Sequence, residues 1–366
     1  MWPGPIQLTG AGVRTVAIVL GVVLLGAIAI LFSGLINFGG APVEPTQQTA
    51  DAVPPCLADD AIDAATRTAA NDAARAFYDK LLKTDATARD ALSDDAKNLA
   101  PREAFDAMMR TIASNGPYNQ LAVEHTYKPT IEGAPGVAGC VDNAVVVSAL
   151  PGTNQIHTIF AAKTRNNDWA LSAWMVEKDK TWRVNAFYVS MTSITGHTAT
   201  DILRMGDQQA AKGHAFNAYL LYAVARDLAD RGPNITQLNL MTDIKAALLK
   251  QEPPPELKGK MPFSWRLDGA TFPVESVTLV GADNKLGLSL LHRDPNWDGK
   301  DTGKGERRNK RLIDGFVKAH PEYNEIFSYI SVRILEPGKD SGWGTVFDAA
   351  KGYDTGEPSL TKKKPK

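Results

Sequence analysis

Two groups of residues in this chain have types and spacings that could do chemistry. The first is the run Asp294-Pro295-Asn296-Trp297-Asp298-Gly299-Lys300-Asp301. Oxygen-bearing side chains at alternate positions, followed by Gly, suit a hard cation, and Asp294, Asn296 and Asp298 are the candidate calcium ligands. A complete loop would continue with an apolar residue where Asp301 stands and a bidentate Glu where Gly305 stands, whereas Glu306 comes one position late. A polar, Asx-rich turn is the competing reading. The second group is His125, Tyr127 and His157. His125 and Tyr127 fall on one face of an alternating stretch and His157 on another strand-like stretch, so the three could converge in a pocket as acid, base or recognition groups. The sequence assigns them no carboxylate partner. No G-x-S-x-G, H-E-x-x-H, phosphate-binding Gly loop or paired-Cys metal pattern is present, which weighs against the commonest hydrolases and leaves no residue with a catalytic assignment.

These residues must be positioned by the elements around them, and those elements follow an uncharged stretch, Thr15 to Ile36. Roughly 22 helical residues reach about 33 Å, enough for a hydrocarbon core of roughly 30 Å. Residues 15–38 are predicted to be a single transmembrane helix. Arg14 precedes it, while Glu44, Asp51, Asp59, Asp60 and Asp63 all follow it before the next basic residue, Arg67. That asymmetry places segment 1–14 in the cytoplasm and the rest outside it, at an inner membrane. A cleaved signal peptide is the competing reading, although the run exceeds the usual apolar region and no clean A-x-A-like site follows. The only two cysteines, Cys56 and Cys140, both fall outside, where an oxidising compartment favours a disulfide closing a loop of about 84 residues. Net charge is -1, so no global field favours nucleic acid, and none is expected as a partner.

Residues 39–59 read as a Pro- and Thr-containing linker. From Asp60, a possible cap, apolar residues recur at three and four, and a second helix begins near Pro101 with Phe105, Met108, Met109 and Ile112 on one face. After Gly116 the period changes to two, predicting strands at 121–128, 144–150, 155–164, 169–176 and 181–191. Helices followed by an antiparallel meander make residues 60–195 an α+β domain. Residues 196–250 read as a helical hairpin module, 251–262 as a Pro-rich linker, and 263–350 as a second small α+β domain with a helix at 310–319. Residues 351–366 read as a disordered basic tail. Arg307, Arg308, Lys310 and Arg311 cluster at a helix start, where the dipole disfavours them; they serve an outside partner or form a solvated face.

The order helix, helix, strands, with a Lys178-Asp179-Lys180 turn before Trp182-Arg183-Val184, resembles the nuclear transport factor 2-like fold over roughly residues 60–195. That resemblance implies a cone-shaped domain with a concave pocket, a fold that hosts isomerases, dehydratases, binding modules and scaffolds alike. Gly206, Gly213, Ala218, Tyr222 and Ala225 stand at tetratricopeptide-like spacings over roughly 200–233, with Gln209 replacing the aromatic expected in the first helix and no second copy. The topology is similar to the single-pass periplasmic assembly component of type IV secretion systems. The resulting expectation is a scaffold or protein-interaction component of a bacterial envelope, meeting other envelope proteins and compatible with a homo-oligomer. Small-ligand binding or isomerase-like activity in the cone is the second expectation, and calcium-dependent binding through 294–306 the third.

Overall fold

The computed structural model describes residues 56–141, 144–339 and 341–353. The predicted transmembrane helix, the segment before it, linker residues 39–55 and the basic tail beyond residue 353 lie outside the described residues. No helix among the described residues is long and apolar enough to cross a membrane. The protein is a mixed α+β structure with antiparallel sheets and helices, and it divides into two compact units: 56–193 with 226–246, and 194–225 with 247–353.

In the first unit, helix α1 (Ala64–Leu82) begins at Asp63, whose carboxylate accepts the Thr66 N–H at 2.9 Å. Asp60, favoured by the sequence, lies instead in a 3-10 turn, Asp59–Ala61, closed by the Ile62 N–H. Ala70, Ala74, Phe77, Tyr78 and Leu81 form the buried stripe of α1. Ser93 caps the short α2 (Asp94–Leu99), and Pro101 immediately precedes α3 (Arg102–Ala113), whose buried face is Phe105, Met108, Met109 and Ile112. That face repeats the apolar spacing of the sequence, because a helix buries whatever recurs at three and four.

The helices share a core with a five-stranded antiparallel sheet in the order β1-β2-β5-β6-β7. Its strands are β1 (Cys56–Ala58), β2 (Ala122–Pro129), β5 (Gln155–Lys163), β6 (Asp168–Lys178) and β7 (Thr181–Met191). Phe77 and Phe105 meet Phe187 edge-on at 4.9 and 6.1 Å, and the Tyr78 hydroxyl donates to the Ser172 carbonyl at 2.5 Å. A second, three-stranded sheet, in the order β10-β4-β3, contributes Ala138, Val147 and Ile235 to a separate cluster with Tyr127, Ile159 and Ala170. Its strands are β3 (Gly136–Cys140), β4 (Val145–Ala149) and β10 (Ile235–Gln237), and β8 (Ser193–Ile194) pairs with β9 (His197–Thr198) in a separate two-stranded ladder. The large sheet is thus buried on both faces, so β5 is buried over almost its whole length and shows no alternation of exposure.

Three strands of this unit fall where the sequence predicts none. β1 lies in the expected linker, β3 in a Gly-containing loop and β10 in the expected helical module, and the Cys56–Cys140 disulfide joins the first two, with Cα atoms 4.9 Å apart. Three-residue and Gly-rich strands have weak intrinsic propensity, so pairing and the cross-link supply what the local sequence lacks.

In the second unit, Thr198 and Asp201 form a reciprocal capping box that starts helix α4 (Ala199–Ala211). Helix α5 spans Ala215–Ala229 and α6 spans Leu238–Lys250. The module expected over 196–250 is divided between the units: α4 and the first part of α5 go with the C-terminal sheet, while β10 goes with β4. That sheet runs β11 (Phe263–Leu267), β12 (Ala270–Ala282), β13 (Lys285–Arg293), β14 (Tyr329–Leu335), β15 (Gly342–Asp348) and β16 (Gly352–Tyr353), in chain order. Only β13 and β14 pair in parallel, and the required crossover is helix α7 (Thr302–Ala319). This helix starts eight residues before the predicted Lys310, because Asp301 caps it through the Lys304 N–H and Gly305 lets the Trp297 ring lie against its first turns. After it, Pro321–Glu325 forms a 3-10 segment, and the chain is a strand from Tyr329.

Candidate functional site

The strand register fixes where the candidate pocket residues go. β2 and β5 pair His125 with Ile159 and Tyr127 with His157, so all three candidates rise from the sheet face that carries the smaller sheet. They share a face but differ in surroundings. His125 is half-exposed, its ring stacks on Tyr127 at 5.9 Å between centroids, and its Nδ1 lies 3.3 Å from Asp59 Oδ2. Asp59 also accepts the Thr126 N–H at 2.8 Å. This carboxylate partner escapes a reading of the sequence because β1 pairing, with Ala58 opposite Tyr127, brings it across 66 residues. Tyr127 is 3 % exposed, and burial pushes its hydroxyl up to about 12.

His157 has no exposed surface. Its Nε2 lies 2.7 Å from the Ser148 carbonyl oxygen on β4, which makes Nε2–H the donor, and its ring stacks on Trp174 at 5.1 Å. Burial pushes it down to about 4, so it is neutral at physiological pH. The space beside it, bounded also by Ser172, Tyr188, Arg231 and Asn234, measures about 10 Å³. That is room for one water and for no substrate skeleton. The sheet face at His157 is occupied by the protein's own second sheet.

Around this corner lies a polar cluster that the sequence does not announce. The Tyr188 hydroxyl donates to Asp230 Oδ2 at 2.9 Å, and Arg231 donates to the Leu228 and Asp230 carbonyls. Burial lowers the Arg231 guanidinium and raises the Asp227 carboxyl. No local signal marks these residues, because Asp230 and Arg231 follow an ordinary helix end and reach Tyr188 only through the β4–β10 pairing. A larger cleft, about 350 Å³, opens between α1 and the segment after α3, lined by Arg75, Asp79, Lys83, Tyr118 and Gln120 among others. Arg75 reaches across it to the Leu121 carbonyl and lies 5.1 Å from the Phe160 ring centre. Neither His125 nor His157 borders this cleft.

The candidate calcium ligands belong to the other unit. Asp294 Oδ1 accepts the Asn296 N–H at 2.9 Å, while Oδ2 pairs with the Arg308 guanidinium at 3.1 Å. Asp298 accepts the Lys300 N–H at 3.0 Å, which holds its carboxyl below the usual range. The Lys304 ammonium donates to the Asn296 carbonyl, and the buried Trp297 donates from Nε1 to the Asp301 carbonyl at 2.8 Å. The loop is a succession of Asx turns running into the α7 cap. A cation there would have to displace a guanidinium and an ammonium, and no cluster of three or more His, Cys, Asp or Glu among the described residues is arranged to hold a metal. Arg308, one of the clustered basic residues, stands 4.1 Å from the Phe272 ring centre as well as beside Asp294.

Gln209 occupies the place where a tetratricopeptide-like hairpin would carry an aromatic. It is 3 % exposed and donates to Glu325 at 3.0 Å, while its Oε1 accepts from Asn217 and lies 2.9 Å from His214 Nδ1. The first hairpin helix is thereby bonded to the 3-10 segment of its own unit. No protein-family model, curated protein or solved structure matches this chain.

Proposed function

We propose that this chain is a single-pass, membrane-anchored protein of a bacterial envelope, with a cytoplasmic N-terminus and extracytoplasmic units that scaffold or contact other envelope proteins. The observation that carries the reading is the Cys56–Cys140 disulfide, formed by the chain's only two cysteines just beyond the apolar stretch Thr15 to Ile36. A disulfide persists in an oxidising compartment, and the Lys/Arg asymmetry around the apolar stretch independently points the units the same way. The first unit is read as a cone-shaped, nuclear transport factor 2-like domain used as a scaffold. Supporting this are helices packed on one face of an antiparallel sheet, bulges at Val123/His125 and Trp174/Met175 that bend it, and a space of about 10 Å³ at His157.

Labelling in native membranes tests this directly. A membrane-impermeant maleimide polymer should leave the chain unlabelled until a reductant is added, and should then label it from outside the sealed membrane at the partly exposed Cys56, Cys140 staying in the core. Labelling without reductant rejects the disulfide, and labelling only after the membrane is permeabilised rejects the topology. Crosslinking in the same membranes should capture envelope proteins or further copies of the chain; a chain that stays monomeric and uncoupled rejects the scaffold role.

A further inference from the structure

Two buried polar atoms at the His157 corner, His157 Nδ1 and Ser172 Oγ, have no hydrogen-bond partner among the described residues. Leaving such atoms unpaired is costly, and folded proteins rarely do so. His157 has no exposed surface and Ser172 is 4 % exposed. β5 and β6 pair His157 with Trp174 and Ile159 with Ser172, so the two side chains stand in neighbouring rows on the face that carries the smaller sheet. They border one space of about 10 Å³, the size of a single water, and Arg231 and Asn234 border the same space from the segment that leads into β10.

The chemistry of the lining selects the occupant. Nε2 gives its proton to the Ser148 carbonyl, so the neutral ring presents a lone pair at Nδ1 and needs a donor there. A simple anion such as chloride has no proton to give. A cation would meet the like charge of the Arg231 guanidinium. The Ser172 hydroxyl both donates and accepts, and the guanidinium only donates. Water alone gives a proton to Nδ1 while taking one from a neighbour. We infer that this space is a binding site for one ordered water, hydrogen-bonded to His157 Nδ1 and Ser172 Oγ, with the Arg231–Asn234 segment supplying its third contact. Ser148 already joins the two sides: its carbonyl accepts from His157, and its N–H donates to the Asn234 carbonyl at 3.0 Å. The water closes that path into a circuit, fastening the segment before β10 to both nitrogens of one imidazole. This site goes beyond the anchoring reading and does not depend on it.

The test uses the full chain in detergent micelles with histidines labelled in carbon and nitrogen, the His157 signals being assigned by their loss in His157→Gln. Selective inversion of the water resonance should give a cross-peak to His157 Hε1, the ring proton beside Nδ1, with the sign of a water held longer than the molecule takes to tumble. No cross-peak in the unmodified chain overturns the site. Ser172→Ala keeps room for the water and should retain the peak; loss of the peak there assigns it to the exchanging Ser172 hydroxyl proton and overturns the water. Ser172→Val fills the space with methyl groups and should abolish the peak while the Nε2–H signal stays in place. A peak that survives this filling locates the water elsewhere and overturns the site. Exchanging chloride for sulfate at constant ionic strength should leave the His157 shifts unchanged, and a chloride-dependent shift overturns the water in favour of an anion.

Discussion

The two compact units each bury a histidine completely, and each closes its sheet by a different device. In the first, His157 is held by a backbone carbonyl and a Trp174 ring, and the sheet edges are joined covalently through Cys56 and Cys140. In the second, His292 lies with Nε2 at 2.8 Å from Asn309 Oδ1, and Asn309 donates to the Trp343 carbonyl and to Thr345 Oγ1. There a single amide on the crossover helix ties together β13 and β15, and no cysteine is present. The contrast follows from the lengths of the elements. β1 has three residues and cannot hold a sheet edge by pairing, whereas α7, at 18 residues, brings enough apolar surface to close its sheet without a cross-link.

The contrast between the units breaks most easily at the disulfide. Replacing both cysteines, Cys56→Ala with Cys140→Ala, should destabilise the first unit by about 4–5 kcal/mol from loop entropy, and urea unfolding should show that transition alone moving. A shift of both transitions would mean that the units do not unfold separately.

Acid sharpens the comparison by striking both units alike. Burial pushes His157 and His292 down to about 4, against an unfolded value near 6.5. The unfolded chain therefore takes up these protons first. Stability is intact above pH 6.5 and is lost as pH falls toward 4, by about 3 kcal/mol per histidine. His157→Gln should flatten this slope in the first transition and His292→Gln in the second, as read from urea midpoints between pH 7 and 4.

The partners of the two histidines then separate the units. Asn309→Ala strips the β13 ring nitrogen and the β15 acceptors at once and should cost about 2–3 kcal/mol in the second unit. No single side chain has the equivalent role for His157, because its partner is a main-chain carbonyl. Smaller again is Gly206→Ala, whose new Cβ would fall 2.6 Å from the Tyr222 ring and should cost about 2 kcal/mol in hairpin packing. At the bottom of the scale, Lys178→Ala removes an exposed ion pair with Asp94 and should move neither midpoint measurably.

How far the sequence can be read differs between the units for the same reason. Where strands are consecutive and several residues long, as from Gln155 to Met191, alternation and turn signals place them within a residue or two. Strand-forming runs and turn signals are local, so they stay legible even where, as in β5, both faces are buried. β1 and β10 are invisible in the sequence because each is short and forms only when distant chain completes it, Cys56 with Pro129 and Ile235 with Val147, while β3 pairs with the neighbouring β4, Gly139 with Val146, but its Gly-containing sequence carries no strand signal. The start of α7 is hidden because its first turns carry Gly303 and Gly305, poor helix formers that the Trp297 contact makes useful. At the candidate site, Tyr127 opposite His157 could be guessed as neighbours on two strands. That Asp59 reaches His125, or that a second sheet fills the face, could not.

By itself the sequence determined the α+β class, the apolar stretch before residue 56, the faces of α1 and α3, and a cysteine pair with no alternative partner. These are matters of local periodicity, composition and count, which need no knowledge of what packs where. Only the tertiary structure decided that the expected linker ends in a sheet edge, that a second sheet closes the face over His157, and that residues 196–250 are divided between two units. Each of those outcomes depends on which distant backbone groups find one another. Long-range pairing of that kind leaves no periodic trace in the chain.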